Sequence, residues 1–154
     1  MPDHVIAKRS KYIVVTVVLY WVMAGIFTGL AIGLMFVESG IRFTLMIFSL
    51  FFIPFAIIFS YHLSKTPPVL AEMRGGVLYL YPDRKTCIPV NPLDIRYTSH
   101  QIYNPFLVGW AYTRLVAKLI VDTTSGRLVL PWVRGYEEAR QKLEWLRTEA
   151  SRVA

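Results

Sequence analysis

Charge is absent from two long stretches of this chain. No Asp, Glu, Lys or Arg occurs from Tyr12 to Val37, and none from Phe43 to Tyr61. Only Glu38-Ser39-Gly40-Ile41-Arg42 separates them. A helix of roughly 20 apolar residues is long enough to cross the hydrocarbon core of a bilayer. In lipid every backbone N–H and C=O needs a partner within the segment, which a helix provides. The two stretches therefore predict a two-helix transmembrane hairpin with spans of about 12–37 and 43–61. The lack of charged side chains inside the spans argues against transport by this chain alone, because proton relays and ion pathways normally need intramembrane charge.

Cysteine is nearly missing as well. Cys87 stands alone, so no internal disulfide forms and the chain is compatible with a reducing compartment. Between Thr86 and Ile88 on an expected strand, it is predicted to be a small buried hydrophobe. His4, His62 and His100 are far apart and none lies in a metal-ligand spacing, so no metal is predicted. His62 fits a span boundary and His100 a strand surface. Neither G-x-S-x-G nor S-x-x-K is present. Arg74-Gly75-Gly76 marks a hairpin turn rather than a phosphate loop between strand and helix. Glu72, Asp83, Asp94 and Asp122 fall mostly at strand ends and turns, where such side chains bond local backbone. No catalytic constellation, cofactor site or nucleic-acid partner follows.

Basic residues, by contrast, are plentiful: the formal net charge is +7. Lys8, Arg9 and Lys11 precede the first span, and His62, Lys65 and Arg74 follow the second. The positive-inside bias puts both termini in the cytoplasm and the short loop outside. The first apolar run is far longer than the 7–15 residues of a signal-peptide core, so it is expected to be retained. The bilayer is the first expected partner. Residues 1–64 are assigned to an N-terminal tail and the anchor, and residues 65–154 to one cytoplasmic domain. Gly25, Gly29 and Gly33 share one face of the first helix at a spacing that lets helix backbones approach closely. That face packs either against the tethered second helix or in a homodimer or other protein partner. Pro54 should kink the second helix. The hydroxyls of Thr16, Thr28, Thr44 and Ser49 are expected to bond their own backbone.

After Lys65-Thr66-Pro67-Pro68, a short stiff linker, the pattern predicts strands. They cover Val69–Met73, Val77–Tyr81, Thr86–Val90, Ile95–Ile102, Leu115–Asp122 and Arg127–Trp132, with turn signals at Gly75-Gly76, Pro82-Asp83-Arg84 and Thr124-Ser125-Gly126. Along Ile95–Ile102, strict alternation sets Ile95, Tyr97 and Ser99 on one face and Arg96, Thr98 and His100 on the other. Tyr136–Glu149 has helical period, with Tyr136, Ala139, Leu143 and Leu146 as its apolar stripe and Trp145 at the border. Antiparallel strands closed by one helix make an α+β domain.

Two spans, a hairpin over Val69–Tyr81 and then Thr86-Cys87-Ile88-Pro89-Val90-Asn91-Pro92-Leu93-Asp94-Ile95 resemble the bacterial pleckstrin-homology-like (PH-like) domains carried on membrane hairpins. Leu119–Val121, Gly126, Leu128–Leu130 and the helix from Tyr136 extend the likeness over about residues 67–150. The usual tryptophan before the Asp-Ile pair is replaced by Asn91-Pro92-Leu93. The resemblance implies a seven-strand barrel capped by a helix, without enzymatic residues. It alone implies a bacterial inner membrane. Tyr103–Arg114 is more apolar than a loop needs to be. Either it folds into the domain, or Phe106, Leu107, Trp110, Tyr112 and Arg114 form a membrane or partner contact. A non-catalytic binding or assembly module is expected, the alternative being an accessory subunit of a larger membrane complex such as a transporter.

Overall fold

A computed structural model describes residues 4–34, 40–103 and 116–153. The chain divides into two compact units, Lys11–Ser64 and Met1–Ser10 joined to Lys65–Ala154.

The first unit is a pair of helices, α1 (Tyr12–Gly33) and α2 (Gly40–Lys65). Both are long and apolar enough to cross a membrane. Their mutual contact is aromatic. Tyr20 stacks on Phe55 and Phe59, and Phe27 stacks on Phe48 and Phe52, with ring centroids 5.2–5.7 Å apart. Two polar links cross between the helices. Trp21 Nε1 donates to Ser60 Oγ at 3.0 Å, and the hydroxyls of Thr28 and Ser49 share a hydrogen bond of 3.1 Å. Thr44 bonds the Gly40 carbonyl one turn back, as expected, but Thr28 and Ser49 bond each other across the helix pair. Pro54 lies inside α2, where the missing N–H leaves the Leu50 carbonyl without its helical donor.

The second unit is a seven-stranded antiparallel sheet and a C-terminal helix. The strands are β1 (His4–Arg9), β2 (Val69–Arg74), β3 (Val77–Leu80), β4 (Ile88–Val90), β5 (Ile95–Ile102), β6 (Val116–Thr123) and β7 (Gly126–Arg134), in the spatial order β4-β3-β2-β1-β7-β6-β5. The Arg74↔Val77 pair closes a two-residue hairpin in which Gly75 and Gly76 both have positive φ, as a type I′ turn requires. A 3-10 turn, Pro92–Asp94, capped by the Asn91 side chain, leads into β5. Helix α3 (Tyr136–Val153) packs on β5, β6, β1 and that turn. It buries the stripe Tyr136, Ala139, Leu143 and Leu146 that its period predicts, against Leu70, Leu78, Leu119, Val121 and Leu130.

Three features differ from the sequence expectations. First, residues 4–9 are not a tail. They form β1, which pairs with β2 along most of its length and with β7 at Lys8 and Arg9. The helix pair therefore occupies the connection between two neighbouring strands of one sheet. Second, the alternation along β5 breaks at Arg96. A bulge between Ile95 and Tyr97 puts Ile95 and Thr98 both inside, and leaves Tyr97 60% exposed. Thr98 donates to Glu144 of α3 at 3.0 Å, and Arg147 of α3 caps the Arg96 carbonyl at 2.7 Å, so the helix supports the bulge. Third, Cys87 is exposed and not a core residue, because β4 begins only at Ile88.

Candidate functional site

The expected contact residues Phe106, Leu107, Trp110, Tyr112 and Arg114 lie outside the described residues. The glycines do not. A methyl group built on Gly25, Gly29 or Gly33 meets no atom within 4 Å among the described residues. Among the described residues, then, nothing of α2 approaches those positions, and use of that face inside the helix pair, one of its two expected uses, gains no support. The aromatic residues of α1 supply the contact with α2 instead.

The sheet unit concentrates its unusual chemistry where the chain departs after Ser10 and returns at Lys65. β1 ends at Arg9, whose backbone N–H donates to the Pro68 carbonyl at 3.0 Å. The Arg9 guanidinium donates to the Thr66 carbonyl at 2.7 Å, and Arg84 Nε approaches the same oxygen at 3.4 Å. Arg84 also bonds the Lys65 carbonyl through its backbone N–H at 2.9 Å. The expected linker is therefore tied to the sheet at both Lys65 and Thr66, and Thr66 is buried. Partial burial, and next the neighbouring Arg84 charge, push the Arg9 guanidinium below its ordinary pKa. Lys85 and Lys8 are exposed close by in the chain. In the same β3–β4 turn, Asp83 accepts from the backbone N–H groups of Lys85 and Thr86 at 2.7 and 2.9 Å. Those bonds, that of Lys85 first, hold its carboxyl below the usual range.

A second cluster lies at β7. The β6 register jumps from Ala117↔Val133 to Leu119↔Leu130, which leaves Pro131 and Trp132 opposite Lys118. Trp132 takes φ +57°, the left-handed region, and it is the one non-glycine with positive φ among the described residues. For a bulky residue this costs on the order of 1–3 kcal/mol and persists only where the surroundings impose it. Its ring stacks on Tyr103 at 4.2 Å with planes 14° apart. Its N–H donates to the Tyr103 hydroxyl at 3.0 Å, and its carbonyl accepts from the Ser10 N–H at 2.7 Å. Lys118 Nζ sits 5.3 Å from the centre of the Tyr103 ring. Burial pushes the Tyr103 phenol well above its ordinary pKa.

Elsewhere, several polar groups are satisfied locally, whereas His100 Nδ1 and Arg140 Nε are buried without a hydrogen-bond partner among the described residues. The Tyr81 hydroxyl donates to Glu72 at 2.7 Å, and Arg74 pairs with the same oxygen at 3.0 Å. The bond to Glu72, followed by burial and the nearby Cys87 thiol, raises the Tyr81 pKa. Arg127 grips Asp122 through two hydrogen bonds, the first of them 2.7 Å, and holds its carboxyl low. His100 is half-buried, with its ring 4.6 Å from that of Tyr136, so it is not the surface residue expected from strand alternation. No group of three or more His, Cys, Asp or Glu side chains with metal-binding geometry occurs among the described residues.

Sequence inspection missed both clusters. Arg9 and Arg84 are 75 residues apart, and only the pairing of β1 with β2 brings them to one carbonyl. Pro131 inside a strand was the available signal for the β7 irregularity, since proline in a sheet favours bulges. The chain has no significant match among protein-family models, curated proteins or solved structures.

Proposed function

We propose that this chain is a non-catalytic binding or assembly module, with a PH-like sheet domain held at the cytoplasmic face of a bacterial inner membrane by a transmembrane hairpin. The observation that carries the proposal is the outward surface of the helices. Phe43 is 68% exposed and Leu50 is 70% exposed, with Val18, Leu19, Ile32, Phe51 and Ile57 all more than half exposed. Helices this apolar on their outer faces belong in lipid, because an apolar patch this large is rare on a soluble monomer. Seven antiparallel strands followed by a C-terminal helix support the PH-like assignment. Arg9, Lys65, Arg84 and Lys85 gather where the chain passes between sheet and helices, which supports a cytoplasmic, anionic-headgroup environment for that end. A non-catalytic role fits the acids, since Asp83, Asp122 and Glu72 are committed to turn, arginine and tyrosine partners.

One observation favours a second role, that of accessory subunit in a larger membrane complex: among the described residues, nothing covers the Gly25, Gly29 and Gly33 positions. Purification of the full chain from native membranes in a mild detergent separates the two. A monomer or homodimer supports the module. A stoichiometric partner that stays bound through size exclusion supports the subunit and overturns the module as a self-sufficient unit.

A further inference from the structure

Trp132 uses both of its peptide groups outside the regular ladder. Pro131 has no N–H, so the bulge opposite Lys118 leaves Trp132 as the nearest backbone donor in that part of β7. That donor meets the Tyr103 hydroxyl, and the Trp132 carbonyl meets the N–H of Ser10. Ser10 is fully buried and is the last residue before the chain leaves the sheet unit at Lys11.

We propose that Tyr103 is a positioning residue whose hydroxyl latches Trp132 in its left-handed conformation and so fixes Ser10, the root of the first helix. The chemistry is one of compensation. A buried N–H without an acceptor is costly, and a left-handed tryptophan is strained. The hydroxyl satisfies the first and, with the stacked ring, enforces the second. Remove the hydroxyl and the residue has two poor choices. It keeps φ positive with the bond to Tyr103 lost, or it returns to the extended region and turns its carbonyl away from Ser10. Trp132 is thereby a two-state element, and its state reaches the helix root through one 2.7 Å bond. Lys118 Nζ also lies over the Tyr103 ring, 5.3 Å from its centre. The arrangement is local: it joins Trp132 to Ser10, next to the β1–β7 pairs at Lys8 and Arg9.

Tyr103→Phe keeps the stack and deletes the latch. Hydrogen–deuterium exchange on the full chain in detergent tests it. Exchange in peptides covering residues 8–11 and 131–134 should accelerate on the order of tenfold or more, while β3 and β4 keep their protection. Unchanged exchange over 8–11, or equal acceleration throughout the sheet, overturns the latch. Trp132→Gly supplies a second test, since glycine adopts positive φ without strain. In that background Tyr103→Phe should change exchange over 8–11 far less than in the parent, and persistence of the full increment overturns the proposal. If Trp132→Gly does not fold, the local pattern in Tyr103→Phe decides alone.

Discussion

Leu143 is fully buried on α3, among side chains contributed by strands from both halves of the sheet. Truncating it to alanine leaves a cavity that neighbours fill only in part. Leu143→Ala should cost about 2–5 kcal/mol, read as a lower denaturation midpoint of the sheet unit by circular dichroism. A loss below about 1 kcal/mol would show that the site collapses freely around the smaller side chain. Asp83 gives a pH signature. Its folded pKa is lowered by the bonds from Lys85 and Thr86, so it favours the folded state above its unfolded pKa of about 3.9. That contribution is lost as pH falls through the folded value. The stability difference between the parent chain and Asp83→Asn should therefore be constant near neutrality and shrink as pH drops below about 4. A pH-independent difference in thermal midpoint contradicts the assignment. Of these residues, Leu143 was legible in the sequence, because a helical period of apolar residues has one physical meaning. Thr98 was not. A single bulged residue at Arg96 reverses the strand faces, and its support comes from Glu144 and Arg147, more than 40 residues away.

At the scale of elements, the helices were the easiest to read, since length and lack of charge suffice. Their contact was harder. Small residues at a spacing of four mark a surface that permits close approach, but they do not say which partner approaches. Here bulky aromatic rings, Tyr20 and Phe27 from α1 with Phe48, Phe52, Phe55 and Phe59 from α2, occupy the seam, and the glycines lie off it. Gly29→Leu should accordingly leave the thermal stability of the monomer in detergent essentially intact. A clear fall in stability at unchanged mass, by light scattering and thermal unfolding, would place Gly29 in the seam. Conversion of a dimer to a monomer would assign the face to a second copy. Replacing the hydroxyl pair by Thr28→Val together with Ser49→Ala should weaken the hairpin by only about 0.6 kcal/mol, the usual size of such a link in membranes. Strand β1 escaped sequence inspection because Val5-Ile6-Ala7 is too short a run, between histidine and basic residues, to declare a strand by itself. Its stability comes from β2 and β7 on either side, which no local pattern contains.

At the scale of the molecule, insertion of α1 and α2 between β1 and β2 has a topological consequence. Residues on both sides of the helix pair belong to one sheet, so the N-terminal strand and the C-terminal unit share one compartment whatever its identity. Under the proposed function, the positive-inside bias makes that compartment the cytoplasm. The exposed, solitary Cys87 provides a native probe of the sheet unit, and Ser39→Cys in a Cys87→Ser background provides one for the connecting segment. The most direct measurement is labelling of both by a membrane-impermeant maleimide, in intact cells stripped of their outer barrier and again after permeabilisation. A cytoplasmic sheet on a transmembrane hairpin predicts that Ser39→Cys reacts in intact cells and that Cys87 reacts only once the membrane is opened. Labelling of Cys87 in intact cells, or equal labelling of both sites before permeabilisation, would contradict it.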